Sequence, residues 1–126
     1  QICKAWSKLR DETALAELEG GIYATATASG MAATALILEL LPKDSHVLVM
    51  KGVYGGTYRL FERLRKQTSG TTFSYVDLND LASVERHIQE NTRLIWIETP
   101  TNPLLELVDI EAVCQVAKSR GIMSCG

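Results

Sequence analysis

The hydrophobic period of this chain switches repeatedly between strand-like and helix-like spacing, and that alternation limits the fold more than any other feature. His46-Val-Leu-Val-Met50, Thr72 to Val76, Leu94 to Ile97 and Ile122 to Cys125 read as strands. Between them Tyr58 to Lys66 reads as an amphipathic helix with Leu60, Phe61 and Leu64 inward. Leu81 to Ile88 reads as a helix introduced by Asn79-Asp80, and Asp109 to Ser119 as one capped by Asp109. Strands separated by single helices predict right-handed βαβ crossovers, hence the α/β class and a three-layer sandwich around a mainly parallel sheet. Upstream, Leu9 to Leu18 reads as a helix with Leu15 and Leu18 on one face, closed at Gly20-Gly21. A second helix runs from Ser29-Gly30 to Leu41 and stops at Pro42; it is apolar almost all round, which predicts burial.

No repeat, low-complexity tract or long linker interrupts the alternation, so residues 1–126 are expected to belong to one domain. The final segment, Ile122 to Gly126, stops where a βαβ unit delivers its strand to the ligand crevice, which predicts a piece of a larger sheet. The 13 basic and 15 acidic residues give a net charge of −2 without a basic stripe, which argues against a nucleic-acid partner. No apolar stretch approaches the ~20 residues of a membrane span, and the N-terminus lacks a signal-peptide layout. A cytoplasmic protein without a membrane partner is the expectation. Cys3, Cys114 and Cys125 are odd in number and widely spaced, predicting neither a disulfide framework nor a thiolate metal site; no metal is expected.

Three segments carry the candidate chemistry. Arg93 to Pro103 is an apolar strand that ends in a polar loop with two prolines, at the sheet edge where open α/β folds bind ligands. In it Asn102 can donate to a ligand oxygen. Glu98 can bind a cation, act as acid or base, or accept loop N–H groups, and the last reading is preferred. Pro100 and Pro103 bias Thr99 and Asn102 toward extended backbone. Ala28-Ser29-Gly30-Met31 opens the second helix, where unpaired N–H groups and the helix dipole make an anion site of phosphate size; a plain N-cap is the alternative. Val53-Tyr54-Gly55-Gly56-Thr57 follows a strand, so Tyr54 can stack on a flat ligand or pack over its own glycine turn. His46 and His87 fit no constellation and read as structural or solvated. Arg59, Arg63, Arg65 and Lys66 read as the solvated face of their helix.

The order Leu15-Ala-Glu-Leu-Glu-Gly-Gly21, Ala28-Ser-Gly-Met-Ala-Ala33, Val53-Tyr-Gly-Gly-Thr57 and Trp96-Ile-Glu-Thr-Pro-Thr-Asn-Pro103 with Val108-Asp-Ile110 resembles the Cys/Met-metabolism family of pyridoxal-phosphate enzymes. Within it the chain is most similar to cystathionine γ-lyase and γ-synthase. The resemblance implies the N-terminal half of a fold-type-I, aspartate-aminotransferase-like large domain. It further implies that Ser29, Gly30 and Met31 hold the cofactor phosphate, that Tyr54 stacks on the pyridine ring and assists proton transfer, and that Asn102 lies by the phenolic oxygen and substrate carboxylate. The substrate would be cystathionine or a related sulfur amino acid, reacting by elimination or replacement at the β or γ carbon in a homo-oligomer. The family's pyridine-nitrogen Asp and Schiff-base Lys have no counterpart in the chain, and Ile2 to Ser7 stands in place of the segment that reaches a neighbouring subunit. These 126 residues alone are therefore expected not to be catalytic. The competing expectations are a non-catalytic module that associates with full-length subunits, and a generic phosphate-ligand binder.

Overall fold

In the computed structural model, residues 8–126 are described, with side chains from residue 12 onward. Cys3 and the Ile2 to Ser7 segment lie outside them. The described residues divide into two compact units at Leu40 and Leu41.

The first unit contains α1 (Lys8–Leu18) and α2 (Gly30–Glu39). Helix α1 ends in a Schellman motif: Gly21 N–H donates to Ala16 O at 2.7 Å and Gly20 N–H to Glu17 O at 3.3 Å. Gly20 takes φ +66°, a conformation that a Cβ disfavours. Among the described side chains of α1, Ala16 is buried, beneath that turn, while Leu18 is 81 % exposed, so the expected Leu15/Leu18 inner face is corrected. Helix α2 is corrected as well: only Thr34 and Leu38 are buried, and Leu40 just beyond it is 67 % exposed. Its alanines read as apolar in sequence, but a methyl group demands little burial.

The second unit is built on four parallel strands, β1 (His46–Met50), β2 (Thr72–Val76), β3 (Thr92–Trp96) and β4 (Met123–Cys125), in the order β2-β1-β3-β4. Chain alternation fixes what each face meets. Leu48, Met50, Val76, Ile95 and Ile97 form one core with Val84 of α5 (Leu81–His87) and Val113 and Ala117 of α6 (Ile110–Ser119). Register pairs Val47 with Phe73 and Leu94, and Val49 with Tyr75 and Trp96, on the opposite face. There Phe61 stacks on Phe73 at 4.7 Å and meets Trp96 edge-on at 5.5 Å.

Phe61 belongs to a continuous helix over residues 55–68: α3 (Gly55–Arg59), a π-helical turn (Leu60–Arg65) and α4 (Lys66–Thr68). Ordinary α spacing puts Leu64 inward, but it is 49 % exposed. The wider π turn, bonded i to i+5, carries it off the face that Phe61 occupies. The Asp80 carboxylate caps α5 by accepting Ser83 N–H at 2.9 Å, and that of Asp109 caps α6 by accepting Ala112 N–H at 3.0 Å. Asn79, expected to share the α5 cap, instead donates to Leu107 O at 2.9 Å.

His46, the first residue of β1, is joined to both neighbouring strands, β2 and β3. Its Nδ1 lies 2.8 Å from Thr92 Oγ1 and its Nε2 2.9 Å from Ser74 Oγ. Burial, helped by the charge of His87, holds its pKa below the ordinary 6.5. The unfolded chain therefore takes up this proton first as pH falls, so the stability His46 contributes is complete above pH 6.5 and declines as pH drops below it. Urea midpoints of wild type should fall more between pH 7.5 and 5.5 than those of His46→Gln. Phe61→Ala should lower stability by about 3–5 kcal/mol, read from urea unfolding at pH 7.5.

Candidate functional site

The connection leaving β1 crosses one face of the sheet to β2, whereas the connection leaving β3 crosses the other face to β4 on the opposite side. The strand order thus reverses between β1 and β3. In an open α/β sheet the crevice for a ligand lies outside the C-terminal ends of such a strand pair. The loops there are Lys51 to Tyr54 and Ile97 to Val108, and they hold Tyr54, Glu98 and Asn102.

A hydrogen bond ties the two loops together. Tyr54 N–H donates to Glu98 Oε1 at 2.9 Å, which is the loop-bracing role preferred for Glu98. Such a charge-assisted bond, screened at an open edge, contributes about 1 kcal/mol. Tyr54 is the N-cap residue of α3 and gives no side-chain cap, so its ring is left for other contacts; it is 51 % exposed.

The proline loop is fastened by the hydroxyls of Thr99 and Thr101, which are not among the expected site groups. Thr101, buried, accepts Glu106 N–H through Oγ1 at 3.0 Å, and its own N–H donates to Glu106 O at 3.1 Å. Thr99 Oγ1 donates to Glu106 O and accepts Val108 N–H, both at 3.2 Å. Leu105, at φ +54°, donates its N–H to Thr101 O at 2.8 Å. The tendency of Thr hydroxyls to bond nearby backbone was the available signal. The bonds hold the ends of a loop whose tip carries Asn102. That residue is exposed and makes no hydrogen bond among the described residues, and the Thr99-Pro100 and Asn102-Pro103 peptides are cis.

A recess of about 490 Å³ opens beside the ends of β1 and β2, lined by Gly52, Asp77, Asn79, Leu104 and Glu106 among others. Neither Tyr54 nor Asn102 lines it. Among the described residues no group of three His, Cys, Asp or Glu is placed to hold a metal ion, and no helix is long and apolar enough to cross a membrane.

Ser29, Gly30 and Met31 stand in the first unit at the start of α2. Ser29 Oγ accepts Ala32 N–H at 3.1 Å, so the plain N-cap reading is realised. The hydroxyl still has its proton to give. The Gly30 and Met31 N–H groups have no partner among the described residues, as helix geometry requires, and the first turn carries no acidic side chain. Unpaired N–H groups, a spare hydroxyl proton and the positive end of a ten-residue helix fit a phosphate dianion. In the second unit a half-exposed aromatic ring and an unpartnered amide fit the flat ring and oxygen of a cofactor such as pyridoxal phosphate.

Together these parts describe an α/β protein with a phosphate-type helix start in one unit and a ligand-edge aromatic in the other. The chain belongs to the family of Cys/Met metabolism PLP-dependent enzymes, whose pattern it matches over residues 8–125. It is 47 % identical over 113 residues to cystathionine beta-lyase of Coxiella burnetii and 43 % identical over 110 residues to cystathionine gamma-lyase of Macaca fascicularis. These alignments cover 90 % and 87 % of this chain but 29 % and 27 % of those relatives, so it spans under a third of their length. The crystal structure of cystathionine gamma-lyase from Lactobacillus plantarum complexed with L-serine superposes with a TM-score of 0.86 at 42 % identity, covering 90 % of this chain and 29 % of that one. The partial fold-type-I reading is thereby established.

Thr101→Val keeps the shape but removes the acceptor of Glu106 N–H. It should destabilise the loop by about 1–3 kcal/mol and speed amide exchange at Glu106 and Leu105 while leaving the β1 amides protected.

Proposed function

We propose that these residues supply the phosphate-binding helix start and the ring-stacking loop of a pyridoxal-phosphate-dependent enzyme acting at the β or γ carbon of cystathionine or a related sulfur amino acid. The observation that carries the reading is Tyr54, a half-exposed aromatic whose backbone is tied to Glu98 where the strand order reverses. Beta-lyase, gamma-synthase and gamma-lyase relatives match at 47 %, 45 % and 43 % identity, which supports this substrate class and no finer division.

When bound, pyridoxal phosphate serves as an electron sink that eases loss of a proton from the substrate carbon bearing the amino group. In this reading the N–H groups of Gly30 and Met31 donate to the phosphate oxygens. Ser29 Oγ, its lone pair engaged by Ala32 N–H, gives its proton to the same anion. The Tyr54 ring stacks on the pyridine ring, worth about 0.5–1.5 kcal/mol beyond buried area. Its Oη holds or delivers a proton near the leaving group. The Asn102 amide donates to the phenolic oxygen and the substrate carboxylate. The working enzyme is a homo-oligomer, and the ring-nitrogen Asp and Schiff-base Lys that the resemblance calls for come from outside these 126 residues.

A second reading, a non-catalytic module that associates with full-length subunits, is favoured by the exposure of Ile22 and Tyr23, 86 % and 90 %, in the first unit. Sedimentation with and without a full-length homologue decides it, a strictly monomeric chain in both counting against it.

Equilibrium dialysis with pyridoxal 5′-phosphate tests the main reading. Ser29→Ala and Tyr54→Ala should each weaken binding by about 3–10-fold. The purified chain should release no 2-oxo acid from cystathionine. Unchanged affinity in Tyr54→Ala would remove the stacking role, and steady turnover would remove the requirement for residues outside the chain.

A further inference from the structure

Tyr54 sits in a stretch of backbone that has little means of holding itself. Glycines occupy positions 52, 55 and 56, so freedom about φ is high on both sides of it, and Gly52 is already at φ +86°. The side chain of Tyr54 makes no cap bond to its own helix. What fixes the residue is its two peptide groups. Its C=O accepts Tyr58 N–H at 3.0 Å, the first turn of α3, and its N–H donates to Glu98 Oε1 at 2.9 Å, 44 residues further along the chain.

Glu98 in turn stands two residues beyond β3, which is paired in register with β1 from Val47 to Val49. Its carboxylate also lies at the start of the helix that begins at Gly55, where a negative charge is favoured by the helix dipole. Behind it the proline loop is closed by Thr99 and Thr101. The brace on Tyr54 is therefore anchored in the sheet and does not move with the glycine loop.

From this geometry we infer that Glu98 is a positioning residue: its carboxylate fixes the Tyr54 backbone, and thereby the direction of the Tyr54 ring, from the neighbouring loop at the β1/β3 reversal. With both peptide groups of Tyr54 engaged, χ1 and χ2 are the freedoms that remain to the ring. Loss of the Glu98 bond releases the glycine-flanked segment and spreads the ring over many directions, which weakens stacking without removing any group that touches the ligand. The inference deepens the proposed role of Tyr54 and rests on it.

The geometry separates reach from charge, and three variants of the full chain exploit this. Glu98→Gln keeps the length and one acceptor oxygen. Glu98→Asp keeps the charge but falls one methylene short, and Glu98→Ala removes both. Amide exchange at Tyr54 reads the brace directly, and dialysis with pyridoxal 5′-phosphate reads its consequence. Exchange at Tyr54 should accelerate on the order of tenfold in Glu98→Asp and Glu98→Ala, stay near wild type in Glu98→Gln, and remain unchanged at Leu48 and Val49 in all three. Affinity should fall in Glu98→Asp about as far as in Tyr54→Ala, and the double variant should fall no further.

Wild-type exchange at Tyr54 in Glu98→Asp overturns the inference, as does an additive loss in the double variant. If Glu98→Ala does not fold, the Asp and Gln pair decides alone. Wild type and Tyr54→Ala both failing to bind the cofactor overturns instead the reading of Tyr54 on which the inference rests. That outcome is distinct from binding that responds to Tyr54→Ala and not to Glu98→Asp, in which the reading of Tyr54 stands and the role of Glu98 falls.

Discussion

All five residues of β1 are buried, because a strand paired on both edges and covered on both faces has no wet side. That single constraint organises the second unit. It requires the continuous apolar run His46 to Met50, with the one polar member, His46, satisfied by hydroxyls from both neighbouring strands. It requires helices on the two faces, since parallel neighbours can be reached only by crossovers. And because the chain leaves β1 toward one side and β3 toward the other, it opens the sheet edge between them for a ligand.

The two ends of this strand pair are fastened differently. At the N-terminal end the bonds of His46, one buried and one partly buried, bring together side chains from β1, β2 and β3. At the C-terminal end the fastening is one carboxylate across two loops, Glu98 to Tyr54, in a partly exposed setting. The strand pair is thus held by the side-chain bonds of His46 at its base and by a single carboxylate at its rim. The threonines of the proline loop extend the base upward: Thr101 is as buried as the core strands, although it lies in a loop.

Periodicity was a good guide to where the strands begin and end. The ranges of β1 and β2, the caps at Ser29, Asp80 and Asp109, and the turn at Gly20-Gly21 follow from local chemistry and appear where the sequence put them. It failed where one side chain had to be placed on one of two faces. Leu15, Leu18 and Leu64 are apolar at helical spacing yet exposed. For Leu64 the cause is the π turn, which has no residue signature in Leu60 to Arg65. For α2 the cause is alanine, which counts as apolar in a pattern and asks for little in packing.

The sequence by itself determined the class of fold, the positions of strands and caps, and the residue types available to a phosphate, a ring and an oxygen: Ser29, Gly30, Met31, Tyr54 and Asn102. Those depend on propensity, on unpaired helix-end N–H groups and on the spacing of apolar residues, all of them local. Which groups meet was decided only by the tertiary structure. That Glu98 braces Tyr54 across 44 residues, and that Glu106 closes the loop on Thr101, follow from β1 lying beside β3 and from the turn at Leu105. Strand order is a global property of the packed sheet, and no window along the chain contains it.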